Sequence, residues 1–209
     1  MNDMKKKSCL ITIGREYGSG GREIGEKVAA RLGLDFYDKE LIELASQKSG
    51  LNKELFDKAD EKKSFSVIGG DFSLRSSLIN SLNTGFFLSN ESLFNIQSEV
   101  IREMAKGGNA LFVGRCADYV LKDFSGLLSI FIFAEKEERI ERVSIRRSIS
   151  LDEAASLIYK EDKRRASYYN YFSNKKWGDP HSYHISVNST ILGIEGAVKL
   201  IASAVTCRC

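Results

Sequence analysis

Proline, histidine and cysteine are scarce in this sequence. Pro180 is its single proline, His181 and His184 are its two histidines, and its four cysteines are Cys9, Cys116, Cys207 and Cys209. One proline leaves long stretches free to form helices and buried strands, which proline interrupts. No two cysteines form a CxxC pair, so neither a zinc knuckle nor a disulfide framework is indicated. With so few His and Cys ligands, a metal centre built on them is not expected either.

Charge of one sign is also in short supply. Lys and Arg number 31 against 28 Asp and Glu, a net charge of +3. That balance is too mild to argue for a nucleic-acid partner, even though Tyr168, Tyr169 and Tyr171 follow a basic stretch in a way that suits single strands. Long apolar runs are missing. The longest, Leu127 to Ala134, contains Ser129 and falls well short of the roughly 20 residues of a membrane span. It reads as a buried strand, and no membrane partner is expected. The basic start, Met1 to Lys7, is followed only by Cys9 to Ile13 as an apolar stretch. A secretory leader needs about 7–15 apolar residues, so the cytoplasm is the expected compartment.

What is present is an ordinary globular composition, 43% hydrophobic and 28% charged, over 209 residues. That fits a single domain, or a core domain with one insertion. Cys9 to Ile13 is short, apolar and β-branched, and predicts a buried strand. The glycine-rich turn Gly14 to Gly21 follows, and then a helix with Ile24, Val28 and Leu32 on one face and Gly33 as its stop. Leu34 to Tyr37 predicts a second strand, completing a βαβ unit. Asp38 to Gln47 and Asn52 to Lys62 have helical patterns, whereas Glu61 to Leu88 has weak periodicity and is expected to be part of an insertion or a mobile segment. A long amphipathic helix resumes at Glu91 and stops at Gly107-Gly108; its exposed face offers a surface for a homodimer.

Further strands are predicted at Ala110 to Val113, Leu128 to Phe133 and Tyr183 to Val187. Helices are predicted over Glu135 to Arg147, from the Ser150/Glu153 capping box toward Tyr171, and over Gly193 to Ala204. Five strands alternating with helices imply an α/β fold in three layers, a parallel sheet covered on both faces.

Three constellations could carry chemistry. The first is Gly14-Arg15-Glu16-Tyr17-Gly18-Ser19-Gly20-Gly21-Arg22, between a strand and a helix. Glycines there let the backbone turn tightly and aim amides at an anion, aided by the helix start. The pattern GxxxxGK[ST] is not met, since Gly21 stands where lysine is expected and Arg22 follows it, with no Ser or Thr next for Mg²⁺. The GxGxxG alternative fails at Glu23, although Asp38 would suit a ribose contact in that reading.

The second is Gly114-Arg115-Cys116-Ala117-Asp118-Tyr119, at the end of the third strand, where such sheets bind ligands. Arg115 could fork onto a phosphate and Asp118 could accept from a base or ribose, or the two could simply pair with each other. The third is a pair of arginine-rich helices carrying Arg139, Arg142, Arg146, Arg147, Arg164 and Arg165. Most of these charges fit a solvated helix face with ordinary pairs such as Glu138 with Arg142. Arg142 and Arg165 are the candidates to close over a transferring phosphate.

Taken in order, ITIGREYGSGGREIG, FYD, VGRCADYVL, AEKEERIERV, DKRRASYYNY with WGDP, and ISVNSTILGIEGAVKLI resemble the cytidylate kinase-like family of P-loop nucleoside monophosphate kinases. The resemblance implies a P-loop kinase sheet with an acceptor-binding insertion over about residues 39–92 and a helical lid over about 139–175. It implies ATP and Mg²⁺ as co-substrates and a small-molecule nucleotide as partner. By motif position Gly18, Ser19, Gly20, Gly21 and Arg22 would hold the ATP phosphates, Asp38 and Arg115 would face the acceptor, and Arg142, Asp162 and Arg165 would belong to the lid.

Three departures stand out. Cys116 occupies the place of an aspartate used in pyrimidine recognition, Gly21 that of the phosphate-loop lysine, and Leu44 roughly that of an arginine that grips the acceptor phosphate. The expectation is therefore a phosphotransferase in which Arg22 substitutes for the lysine and the acceptor is a nucleoside monophosphate or a related metabolite. The alternative is a regulatory nucleotide-binding module without transfer activity.

Overall fold

The computed structural model describes residues 9–38, 44 and 90–208. Strand β1 (Cys9–Arg15) leads into helix α1 (Gly21–Leu32) and strand β2 (Asp35–Tyr37). After residue 89 come α2 (Asn90–Ala105), β3 (Asn109–Val113), the short α3 (Ala117–Val120) and β4 (Leu127–Phe133). Helices α4 (Lys136–Arg147) and α5 (Leu151–Ser173), a 3₁₀ turn at Pro180–Ser182, β5 (Ile185–Asn188) and α6 (Ser189–Arg208) complete the chain. The helices predicted within 38–47 and 52–62, and most of the expected insertion, lie outside the described residues.

The five strands form one sheet in the order β2-β3-β1-β4-β5, and every pairing is parallel. Parallel strands buried on both faces read as continuous apolar runs, which is why β4, LLSIFIF, is buried almost end to end. Alternate side chains of β1 serve opposite faces. Ile11 and Ile13 pack with Ile24, Val28, Val198 and Ile201 under α1 and α6, while Leu10 joins Leu93, Val100, Ile101 and Phe112 under α2. Each such fully buried side chain contributes about 1.5–3 kcal/mol of transfer free energy. Helix α6 is apolar enough over 18 residues (mean hydropathy 1.5) to resemble a span. Its Ala197, Val198, Ile201, Ala202 and Val205 close the core instead.

Local signals set the helix ends. Gly33 takes φ 65° after α1, as its predicted stopping role requires. The Ser150/Glu153 capping box forms at the start of α5, with Ser150 N donating to Glu153 Oε2 at 2.9 Å and Glu153 N to Ser150 Oγ at 3.3 Å. Helices α4 and α5 make a hairpin around Val143, Ala154 and Ile158, with Tyr17 of the β1–α1 loop packed against it. Two structural expectations shift. Strand β1 runs on to Arg15 because Gly14 and Arg15 pair with Phe131 and Ile132 of β4. Helix α6 starts at Ser189 and passes through a kink at Gly193 (φ 64°), which the sequence marks as a start.

Candidate active site

The loop between β1 and α1 is held open by its carbonyls. Gly18 and Gly20 adopt φ of 83° and 77°, conformations that favour glycine. A side chain at Gly18 would also press on the Arg139 carbonyl at 3.0 Å. Arg165 Nη1 donates to Arg15 O at 2.9 Å, Arg142 Nη1 to Gly18 O at 2.6 Å, and Ser189 Oγ to Ser19 O at 2.7 Å. Ser19 Oγ donates to Glu16 O and accepts from Gly21 N. Arg22 and Glu23 lie in the first turn of α1, where backbone amides have no acceptor within the helix. Helix-start amides left in this way suit a phosphate.

A buried ion cluster fastens the α4–α5 hairpin to that loop. The Arg139 guanidinium, 7% exposed, lies 2.8 Å from Glu16 Oε2 and forks onto Asp162 Oδ2 at 2.9 and 2.8 Å. Asp162 Oδ1 accepts the Tyr17 amide, and Glu16 Oε2 accepts the Ala134 amide at 3.1 Å. Burial lifts the Asp162 carboxyl above its ordinary range, with the Tyr17 amide and Arg139 opposing it.

Beside the loop, at the C-terminal ends of β1 and β3, lies a cleft roofed by α5. Arg15, Arg115, Arg164 and Arg165 line it against Asp38 and Asp118. Arg15 is 19% exposed on its side chain and stands 3.7 Å from Asp38. Burial first, then the charge of Arg165, pull its guanidinium down to about 9, which still leaves it charged at neutral pH. Excess cationic charge in a half-closed site favours an anionic ligand. The third strand ends in three successive left-handed residues, Gly114 (φ 81°), Arg115 (57°) and Cys116 (53°). For each of the two that are not glycine this costs about 1–2 kcal/mol, strain of a kind that clusters at ligand sites.

Asp118 Oδ2 accepts the Tyr169 hydroxyl at 2.7 Å. Burial raises the Asp118 carboxyl, against the Tyr169 hydrogen bond and Lys175. Cys116 packs with Phe131, Tyr169 and Tyr183. Burial pushes its thiol far up, so it acts as a small neutral hydrophobe. The wall above is aromatic, with Phe94 and Phe172 stacked at 4.1 Å and Tyr169 and Tyr183 at 5.7 Å.

The chain is similar to known proteins over most of its length. Residues 10–191 match the model of the cytidylate kinase-like family. The chain belongs to this family. A cytidylate kinase from Pyrococcus horikoshii is 26% identical over 207 residues, covering 97% of this chain and 91% of its own. One from Methanococcus aeolicus is 30% identical over 116 residues, 53% of this chain and 65% of its own. Among solved structures, an uncharacterized protein from Eubacterium ventriosum superposes with a TM-score of 0.72 at 25% identity, covering 96% of this chain and 99% of its own. A shikimate kinase from Bacteroides thetaiotaomicron shares the fold, with a TM-score of 0.54 at 14% identity, covering 95% and 98%.

Within this cytidylate kinase-like chain, the expected site residues divide into three groups. Gly18, Ser19, Gly20, Gly21, Arg142, Asp162 and Arg165 converge on the β1–α1 loop, and Asp38, Arg115 and Asp118 line the cleft with Arg165. The Arg22 side chain goes elsewhere. Its Nε donates to Asp38 Oδ2 at 2.9 Å and its Nη1 to Glu26 Oε2 at 3.1 Å, with 49% of the side chain exposed. The helical screw carries it around α1 to the carboxylate one turn on, so it is a surface ion pair here. The pairing of Arg115 with Asp118 gives way to the Tyr169–Asp118 bond.

Arg15, Glu16, Arg139 and Tyr169 fall within the constellations the sequence marks without standing out as site residues there, and Ser189 lies outside them. Gly21, in the place of a lysine beside an arginine-bearing loop, was the available signal for Arg15. For the others no local spacing exists, since partners such as Glu16 and Arg139 are far apart in the sequence and meet only in the folded chain.

Proposed function

We propose that this member of the cytidylate kinase-like family is an ATP-dependent phosphotransferase acting on a nucleoside monophosphate or a related small anionic metabolite. The observation that carries this is a glycine loop with open helix-start amides adjoining a cleft lined by four arginines. Family membership supports kinase chemistry, and the cytidylate kinase names of its relatives support a nucleotide acceptor.

In this reading the loop of Gly18, Ser19, Gly20, Gly21 and Arg22 cradles the ATP phosphates, with the first-turn amides of Arg22 and Glu23 as donors, and Arg115 holds the acceptor's anionic group, with Asp38 and Asp118 fixing its polar edge. An oxygen of the acceptor bonds to the γ-phosphorus, the bond to the bridging oxygen breaks, and its electron pair leaves on ADP. Such catalysis is positioning plus neutralisation of charge on the transferring group, with no protein nucleophile. Arg165, at the seam between loop and cleft, is placed to supply that neutralisation, and Arg142 holds the loop through Gly18. Mg²⁺ arriving with the triphosphate would supply neutralisation of its charge, and such ions take most of their ligands from phosphate and water; among the described residues no cluster of three acidic, His or Cys groups forms a cage of its own. The insertion over about residues 39–92 would complete the acceptor side, the α4–α5 hairpin would serve as the lid, and the enzyme would work in the cytoplasm.

The test is a panel of nucleoside monophosphates and phosphorylated or carboxylated metabolites, screened with ATP and Mg²⁺ for ADP release. At least one acceptor should release ADP well above the acceptor-free blank. Tight MgATP binding with no product from any acceptor would instead identify a regulatory nucleotide-binding module, a reading favoured by Gly21 standing where a lysine is expected.

A further inference from the structure

We infer that Arg15 is the phosphate-loop cation of this protein, entering from the end of β1 the space that a side chain at position 21 would otherwise fill. The inference rests on the ATP-binding reading above and assigns a residue to it. A Cβ built on Gly21 would lie 2.6 Å from Arg15 Cβ and 3.1 Å from its Cγ. These are stem atoms close to the backbone, unable to swing aside as a side-chain tip can. A lysine at position 21 and an arginine at position 15 therefore exclude each other, and this chain has the arginine. Position 21 is where the pattern GxxxxGK[ST] places its cation, so the two residues are alternative sources of one charge.

Three further observations fix the assignment. The far end of the Arg15 side chain lies over Gly114, where a Cβ would meet Arg15 Cζ at 3.1 Å. Arg15 thus runs between two glycines, one at each end, and fills the space that both leave. Its backbone is rigid, since it pairs with Ile132 in the sheet and its carbonyl is held by Arg165. Its guanidinium borders the cleft and is 3.7 Å from Asp38, a loose pairing compared with the 2.9 Å of Arg22 to the same carboxylate. Arg22 is thereby committed to Asp38 at the cleft edge and to Glu26 one turn along α1, while Arg15 sits among Arg115, Arg164 and Arg165, whose charges an incoming polyphosphate would offset.

The test is equilibrium binding of MgATP to the full chain by calorimetry, with folding checked by circular dichroism. Arg15→Ala should weaken binding by about tenfold or more, the scale of one charge-assisted hydrogen bond, and by more than Arg22→Ala does. Gly21→Lys alone should also bind poorly, because its side chain collides with Arg15. The double variant Arg15→Gly/Gly21→Lys should recover binding over both single variants, since the ammonium enters the vacated space. A purely structural role for Arg15 predicts no such rescue.

The inference is overturned if Arg15→Ala binds MgATP within about twofold of wild type, if Arg22→Ala loses as much, or if the folded double variant is no better than Arg15→Ala. Should the double variant fail to fold, Arg15→Lys must bind better than Arg15→Ala, and equal binding overturns the inference. A wild-type protein that binds no MgATP sinks the proposed function itself; a wild type that binds beside an unaffected Arg15→Ala sinks the Arg15 assignment alone.

Discussion

Tyr17 donates its backbone amide to Asp162 Oδ1 at 2.7 Å, joining residues 145 positions apart. The β1–α1 loop is thereby tied to helix α5, and Arg139 secures the tie by forking onto the other Asp162 oxygen while reaching Glu16. Removing the arginine would strand two carboxylates in a poorly hydrated site. Arg139→Ala should therefore destabilise the fold by about 3–5 kcal/mol, read from urea denaturation midpoints. A loss below about 1 kcal/mol, the range of exposed pairs, would mean that water reaches the cluster and that the tie is weak.

Asp118 gives a pH-dependent prediction. Burial raises its carboxyl above the ordinary 3.8. Below that value the group is protonated in folded and unfolded chains alike, so burial of charge costs nothing. As the pH climbs through the folded value, the unfolded chain has already ionised and the folded chain must ionise in an apolar setting, so stability is lost. Asp118→Asn retains an oxygen for the Tyr169 hydroxyl and removes the charge. It should be more stable than wild type at pH 7, with the gain gone near about pH 3. An equal gain at both pH values would show that some effect other than charge burial is at work.

Gly18 is expected to tolerate no side chain. Gly18→Ala combines a left-handed residue, costing about 1–2 kcal/mol, with a contact of 3.0 Å to the Arg139 carbonyl. The loop should shift, and MgATP affinity should fall by about tenfold or more, measured by calorimetry. Unchanged affinity would place the phosphates away from this turn.

The capping box of α5 offers a control at a residue that does not line the cleft. Ser150→Ala removes the acceptor for Glu153 N and should cost about 0.5–2 kcal/mol. Thermal denaturation should register this as a fall of about 2–4 °C per kcal/mol for a domain of this size, with MgATP affinity unchanged. A fall in affinity would reveal that fraying at the hairpin turn reaches the β1–α1 loop.

Much of this architecture was legible without coordinates. The apolar run that became β4, the helix stop at Gly33 and the Ser150/Glu153 box are local signals, each decided by residues within a few positions of one another. Element ends were less legible. Arg15 joins β1 only because Ile132 is there to pair with it. Likewise α6 begins early, where Asn188 Oδ1 accepts the Thr190 amide at 3.0 Å and starts the helix ahead of the kink at Gly193.

By itself the sequence determined an α/β chain with a glycine loop at its first strand–helix junction, an arginine after its third strand and a basic helical hairpin, because periodicity and glycine placement act over short distances. Which arginine serves which purpose was decided by the tertiary structure. Arg22, beside the glycines, is drawn to Asp38 and Glu26, Arg139 is buried between two carboxylates, and Arg15 takes the space that Gly21 leaves empty. A long flexible cation can reach several partners, and only the packed surroundings, by excluding some and burying others, select among them.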